Sequence, residues 1–143
     1  PLVELVPSPW TKPEVVEKTR ALMQSLGQAP VTLKKEVNGF ILNRLQYALL
    51  MEAFRCVEDG VCSPEDCDTA VSQGLGLRWA FMGPFETIDL NAPEGVKDYC
   101  ERYGENITAC CKEQDELGAR AMKGSATVNP LTTNARTLTL TLT

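Results

Sequence analysis

The sequence contains no histidine. Histidine carries most general acid–base chemistry near neutral pH, because its pKa lies close to the working pH. A chain without it either catalyses nothing of that kind alone or takes its base from outside. No apolar run approaches the roughly 20 residues of a membrane span. Positive charge is in deficit: 14 Lys and Arg stand against 19 Asp and Glu, for a net charge of -5. That balance argues against nucleic acid and anionic membrane surfaces as partners. Close Cys-x-x-Cys pairs are missing as well. Cys56, Cys62, Cys67, Cys100, Cys110 and Cys111 are scattered; Cys110 and Cys111 are adjacent, which disfavours a bond between them, and Cys62 and Cys67 are too widely spaced for a zinc knuckle. They read as reduced thiols of a cytoplasmic protein, with no metal expected. The Gly-rich dinucleotide turn is also absent: "GLG" at 74–76 follows a helix rather than a strand and lacks the third glycine.

What remains is one domain's worth of chain, 143 residues with 43% hydrophobic content. It opens "PLVELV", a strand whose alternation puts Leu2, Glu4 and Val6 on one face, closed by Pro7 and Pro9. The run starts with Pro inside an apolar strand, as if cut from something longer. "TKPEVVEKTRALMQSLG" predicts a helix, with Thr11 and Glu14 as a capping box, Pro13 in the first turn and Gly27 as the stop. "PVTLKKE" predicts a short strand. "NGFILNRLQYALLMEAFRCVEDG" carries the longest helix signal, is apolar on more than one side, and is expected to be central and largely buried. "CSPEDCDTAVSQG" predicts a short helix capped by Ser63, with Pro64 at its first position and Gly74 as its end. "LGLRWAFMGP" reads as a loop. Helices are then expected over 84–91, 93–103 and 106–117. Beyond Gly118 the period fades into a low-complexity "TLTLTLT" end that is not expected to pack.

Three polar residues stand out. Asn43 shares a helical stripe with Phe40, Tyr47, Leu50 and Phe54. Its amide is there either to bond nearby backbone and fix helix register, or to meet a substrate oxygen in a cleft. Glu4 is either an edge-strand acid facing water or a carboxylate that orients an imidazole, which must then come from outside the chain. Arg78 either stacks on Trp79 and pairs with a local acid, or grips a substrate carboxylate.

Taken in order, "PLVELVPSP", "KEVNGFILNRLQYALLMEA", "SPEDCDTAVSQGLGLRW" and "MGPFETIDLNAPEG" resemble the 3-hydroxyacyl-CoA dehydrogenase family, specifically its C-terminal domain. The resemblance covers most of residues 1–112 and decays after about Lys112. It implies a mainly α fold, a helical domain like the C-terminal domain of 6-phosphogluconate dehydrogenase, with a short N-terminal strand left from a Rossmann domain. The implied division is residues 1–9 as the end of the dinucleotide-binding domain, 10–117 as the helical substrate and dimerisation domain, and 118–143 as a divergent, disordered tail.

The resemblance further implies an NAD-dependent 3-hydroxyacid dehydrogenase whose NAD and catalytic His belong to the N-terminal domain, leaving this piece inactive alone. Glu4 matches the family's His-orienting Glu and Asn43 its substrate-oxygen Asn. The acyl-CoA enzymes of the family lack an Arg at the Arg78 position, so Arg78 is expected to hold a carboxylate rather than accompany a CoA thioester. Expected partners are a small hydroxy acid, the chain's own Rossmann domain and a second copy in a homodimer. L-carnitine enzymes share a similar "GLRWA" loop and remain a rival, as does a 3-hydroxyacyl-CoA substrate. A structural role and a small helical interaction module stand as non-enzymatic alternatives.

Overall fold

The computed structural model describes residues 1–117. It is mainly helical with one short two-stranded parallel sheet, and its backbone divides into two compact units, Pro1–Leu50 and the part from Met51 onward.

In the first unit, β1 (Leu2–Leu5) pairs in parallel with β2 (Ala29–Thr32), in the register Leu2 with Ala29, Val3 with Pro30, Glu4 with Val31 and Leu5 with Thr32. Parallel strands need a crossover, and α1 (Pro13–Ser25) supplies it, packing on both strands. The opening strand therefore has a partner of its own within this chain. Thr11 does not cap α1. Its Oγ1 accepts from the Ser8 N–H at 3.0 Å and closes the preceding turn, while Lys12 takes the cap position without a side-chain bond. Gly27 does end the helix: at φ 73 it lets its own N–H reach Gln24 O and the Gln28 N–H reach Met23 O, the paired bonds of a Schellman stop. Pro30 and Leu33 are buried here.

The long helix α2 (Leu42–Glu58) starts four residues later than the apolar period from Asn38 suggests. The cause is the backbone: Gly39 (φ 79) and Phe40 (φ 48) are both left-handed, and no right-handed helix runs through them. Its far end repeats the Schellman arrangement at Gly60, with Gly60 N–H to Val57 O and Val61 N–H to Cys56 O. The expectation of a buried α2 is overturned. None of its residues is buried, and Leu42, Leu45 and Tyr47 are each more than half exposed. An apolar stripe becomes core only where another element lies over it, and the first half of this one is left open while Met51–Glu58 are half-buried.

The second unit begins with the latter part of α2, where Arg55 Nη1 sits 2.7 Å from Glu52 Oε2. In α3 (Pro64–Thr69), Ser63 accepts from the Asp66 N–H at 3.1 Å, and Pro64 follows the cap as expected. Gly74 is not a stop. The chain continues through a π-helical turn (Ala70–Leu75) into α4 (Gly76–Trp79), so the stretch read as a loop is helical in its first half. Gly76 allows this: its N–H reaches Val71 O, and a Cβ there would sit 3.1 Å from that oxygen. Next, α5 (Pro84–Leu90) starts as expected. Glu86 Oε2 accepts from the Gly83 N–H at 2.9 Å, one half of a capping box that glycine cannot reciprocate.

Thr87 and Ala92 are buried, with Thr87 Oγ1 donating to Gly83 O. The turn into α6 (Gly95–Leu117) is made by Gly95 at φ 75, and Asp89 Oδ1 accepts from the Val96 N–H at 3.1 Å. Residues read as two helices form this single one. Gly104 has no left-handed φ, and the i,i+4 pairs Lys97–Glu101, Asp98–Arg102 and Tyr99–Tyr103 support the turns before it. The low-complexity end lies outside the described residues.

Candidate functional site

The site is built around the only place where β1 meets the start of α2 through a side chain among the described hydrogen bonds. Parallel pairing with Val31 fixes Glu4 on β1, and the half-buried carboxylate reaches toward the turn before α2. Its Oε1 accepts from the Ile41 N–H at 2.7 Å and the Leu42 N–H at 3.1 Å. Ile41 is the cap of α2, since its carbonyl takes the first helical bond, from the Leu45 N–H. These two amides are among the donors that a helix start leaves without intrahelical partners, and a carboxylate is a favourable acceptor there. Glu4 is thus neither a plain solvent-facing acid nor an idle one: it ties strand to helix from 37 residues away in sequence. Oε2 makes no hydrogen bond among the described residues.

Asn43 follows in the first turn of α2, exposed. Gly39 lies near it: a Cβ added on that glycine would stand 3.4 Å from Asn43 Cβ. Glu4 and Asn43 therefore converge on one helix start. Arg78 belongs to the second unit, exposed on α4, its carbonyl accepting from the N–H groups of Phe81 and Met82. Its guanidinium pairs with no acid among the described residues. The left-handed pair Gly39–Phe40 is what a reading of periodicity passes over, although the Asn38-Gly39 dipeptide is itself a turn signal.

An open cleft of about 720 Å³ in the first unit, between Pro7–Pro13 and Leu33–Glu36, is lined by neither Glu4 nor Asn43. Among the described residues no cluster could hold a metal ion, and no helix is long and apolar enough to cross a membrane. All six cysteines are free thiols. Burial, with the neighbouring charge of Glu52, pushes the Cys56 thiol up. Burial and then the neighbouring Cys62 do the same for Cys67. Asp98, hydrogen-bonded to Arg102, is held below the usual carboxylate range. These groups lie in the second unit and shape its helices.

Residues 39–131 match the family described as "3-hydroxyacyl-CoA dehydrogenase, C-terminal domain", and residues 1–37 match its "NAD binding domain". Lambda-crystallin of Oryctolagus cuniculus is 55% identical over 112 residues, covering 78% of this chain and 35% of that protein. L-carnitine dehydrogenase of Oceanobacillus iheyensis is 35% identical over 134 residues, covering 89% of this chain and 44% of that protein. Among solved structures, the NAD+-dependent 5-formyl-3-hydroxy-2-methylpyridine 4-carboxylic acid 5-dehydrogenase superposes with a TM-score of 0.67 at 39% identity, over 76% of this chain and 34% of that one.

The chain thus spans about a third of the length of the lambda-crystallins it matches. NAD is the cofactor of the family, but the described residues do not form its phosphate site. The connection from β1 to α1, "VPSPWTK", has no glycine to let a pyrophosphate approach the backbone. What the described residues supply is the anchored helix start that carries Asn43, in a sequence whose C-terminal-domain match runs from 39 to 131 and takes in more than half of it. On those grounds the chain belongs to the 3-hydroxyacyl-CoA dehydrogenase family.

Proposed function

We propose that this chain is the substrate-facing part of an NAD-dependent 3-hydroxyacid dehydrogenase acting on the C3 hydroxyl of a small carboxylate, with L-gulonate the preferred substrate. The observation that carries the reading is the convergence of Glu4 and Asn43 on the start of α2. With Oε1 committed to two amides, Oε2 of Glu4 is left to accept an imidazole N–H. That bond would hold the ring in one tautomer and favour its charged form once it has taken the hydroxyl proton. The imidazole comes from outside this sequence, which has no His. Asn43, exposed one residue beyond the anchored amides, donates to the substrate oxygen as charge develops there. Arg78 holds the carboxylate end of the substrate and so sets which carbon is presented.

L-gulonate, the substrate that a resemblance to lambda-crystallin implies, is preferred over L-carnitine because identity to lambda-crystallin is 55% against 35% to the L-carnitine enzyme. Arg78 also favours a free carboxylate over a CoA thioester. The test replaces the matching third of rabbit lambda-crystallin with this chain and follows NADH formation from L-gulonate, L-carnitine and 3-hydroxybutyrate. L-gulonate turnover above the other two supports the proposal. Turnover of L-carnitine above L-gulonate moves the substrate assignment, and no turnover of any 3-hydroxy acid by a folded chimera removes the enzymatic reading.

A further inference from the structure

We infer that Glu4 is a positioning residue for Asn43, acting through the left-handed Gly39–Phe40 turn. This rests on the reading above, in which Asn43 meets the substrate oxygen, and adds a second task to the same carboxylate. Three observations carry it. First, both hydrogen bonds of Glu4 go to the backbone N–H groups of Ile41 and Leu42, at 2.7 and 3.1 Å. Those are the cap and first residue of α2, so the carboxylate fixes where the helix begins.

Second, the two residues just before are left-handed, and one of them is a phenylalanine at φ 48. A bulky residue stays in that region only when its surroundings hold it there. The bonds around the turn are Phe40 N–H to Val37 O at 3.1 Å on one side and the Glu4 carboxylate on the other. Removing the carboxylate frees the strained turn to relax into the helical course that its apolar period favours.

Third, the turn lies beside Asn43. A Cβ on Gly39 would stand 3.4 Å from Asn43 Cβ and 3.5 Å from Arg44 Cγ, so the Gly39 position and the base of the Asn43 side chain are neighbours one methyl group apart. A shift of the turn changes that spacing. Strand β1, the turn and the first residues of α2 thus form one mechanical unit, with the carboxylate as its joint. The group that orients the imidazole is also the group that places the substrate-binding amide.

The test uses the 143-residue chain in nuclear magnetic resonance. Amide exchange is followed at Ile41 and Leu42, together with the side-chain amide resonances of Asn43. Glu4→Ala is expected to lower protection at both backbone amides about ten- to hundredfold, the range for losing hydrogen bonds to a charged acceptor. It should also move the Asn43 resonances. Glu4→Gln, whose carbonyl oxygen still accepts, should restore both. Gly39→Ala leaves Glu4 in place, strains the turn and sets a methyl 3.4 Å from Asn43 Cβ, so it should move the same Asn43 resonances and gives the reference signature of a displaced Asn43.

Unchanged protection in Glu4→Ala overturns the inference. So does lost protection with the Asn43 resonances unmoved, or a Gly39→Ala change that never reaches Asn43. In the lambda-crystallin chimera, Glu4→Ala and Asn43→Ala should combine to less than the product of their separate losses in kcat, whereas Glu4→Gln and Asn43→Ala should multiply. A chimera that oxidises no hydroxy acid defeats the functional reading alone, and the exchange result still decides whether Glu4 places Asn43.

Discussion

Gly95 is the position where a single methyl group should do the most harm. Its φ of 75 lies in the left-handed region, and a Cβ added there would stand 2.5 Å from Asp89 Oδ1, the oxygen that accepts from the Val96 N–H at the start of α6. Gly95→Ala therefore carries two costs. Holding alanine left-handed costs about 1–2 kcal/mol. Moving the Asp89 carboxylate aside opens the bond to Val96, and losing such a helix-start acceptor costs about 1 kcal/mol more. The sum, about 2–3 kcal/mol, should lower Tm by roughly 6–10 °C at this chain length. Gly104→Ala is the internal control. It lies inside the same helix with no left-handed φ and open space around its Cβ position, so it should stabilise by about 0.5–1 kcal/mol. Thermal melting of the two variants beside the parent, followed by far-ultraviolet circular dichroism, gives opposite shifts if the backbone argument is right. Equal shifts, or a Gly95→Ala variant as stable as the parent, would refute it.

Ser63→Ala removes the cap bond to the Asp66 N–H and should cost about 1 kcal/mol in urea unfolding, with Ser63→Asp close to the parent. The fold holds the half-buried Cys56 and Cys67 thiols protonated, because both pKa values are raised above the ordinary 9.0. Their contribution to stability is fully present below about pH 9 and is lost as pH rises through the raised values, so Tm should fall on the alkaline side. In iodoacetamide labelling read by mass spectrometry, the exposed Cys100, Cys110 and Cys111 should react before Cys56 and Cys67. In the lambda-crystallin chimera, Arg78→Ala should lower kcat/KM for carboxylate substrates about ten- to hundredfold; unchanged preference for a carboxylate over its methyl ester would end the role given to that residue.

Local chemistry was legible where one or two residues decide the outcome. Pro13, Gly27, Ser63 with Pro64, and Gly83 with Pro84 mark helix ends that the structure keeps. Where the outcome depends on distant groups, the sequence misleads. Thr11 looks like a cap, but Ser8 claims its hydroxyl. Gly74 looks like a stop, but a widened turn carries the helix past it because Gly76 fits against Val71 O. Residues 93–103 and 106–117 read as two helices, yet α6 runs unbroken from one into the other.

The apolar period of α2 points to burial, while Leu42, Leu45 and Tyr47 stay open, since a pattern records what a face can pack against and not whether anything lies there. At the candidate site, Glu4 and Asn43 stand out as polar residues in apolar company. Their meeting at one helix start does not, because a bond spanning 37 residues leaves no local signature.

The central claim is that the exposed Asn43 amide at the anchored start of α2 serves a hydroxyl being oxidised. Its most direct test is the kcat of Asn43→Ala on L-gulonate in the lambda-crystallin chimera, with folding checked by circular dichroism. The account predicts a loss of about 10²–10³-fold, the usual effect of removing one donor to a reacting oxygen. A folded Asn43→Ala chimera that turns over L-gulonate as fast as its parent would contradict it.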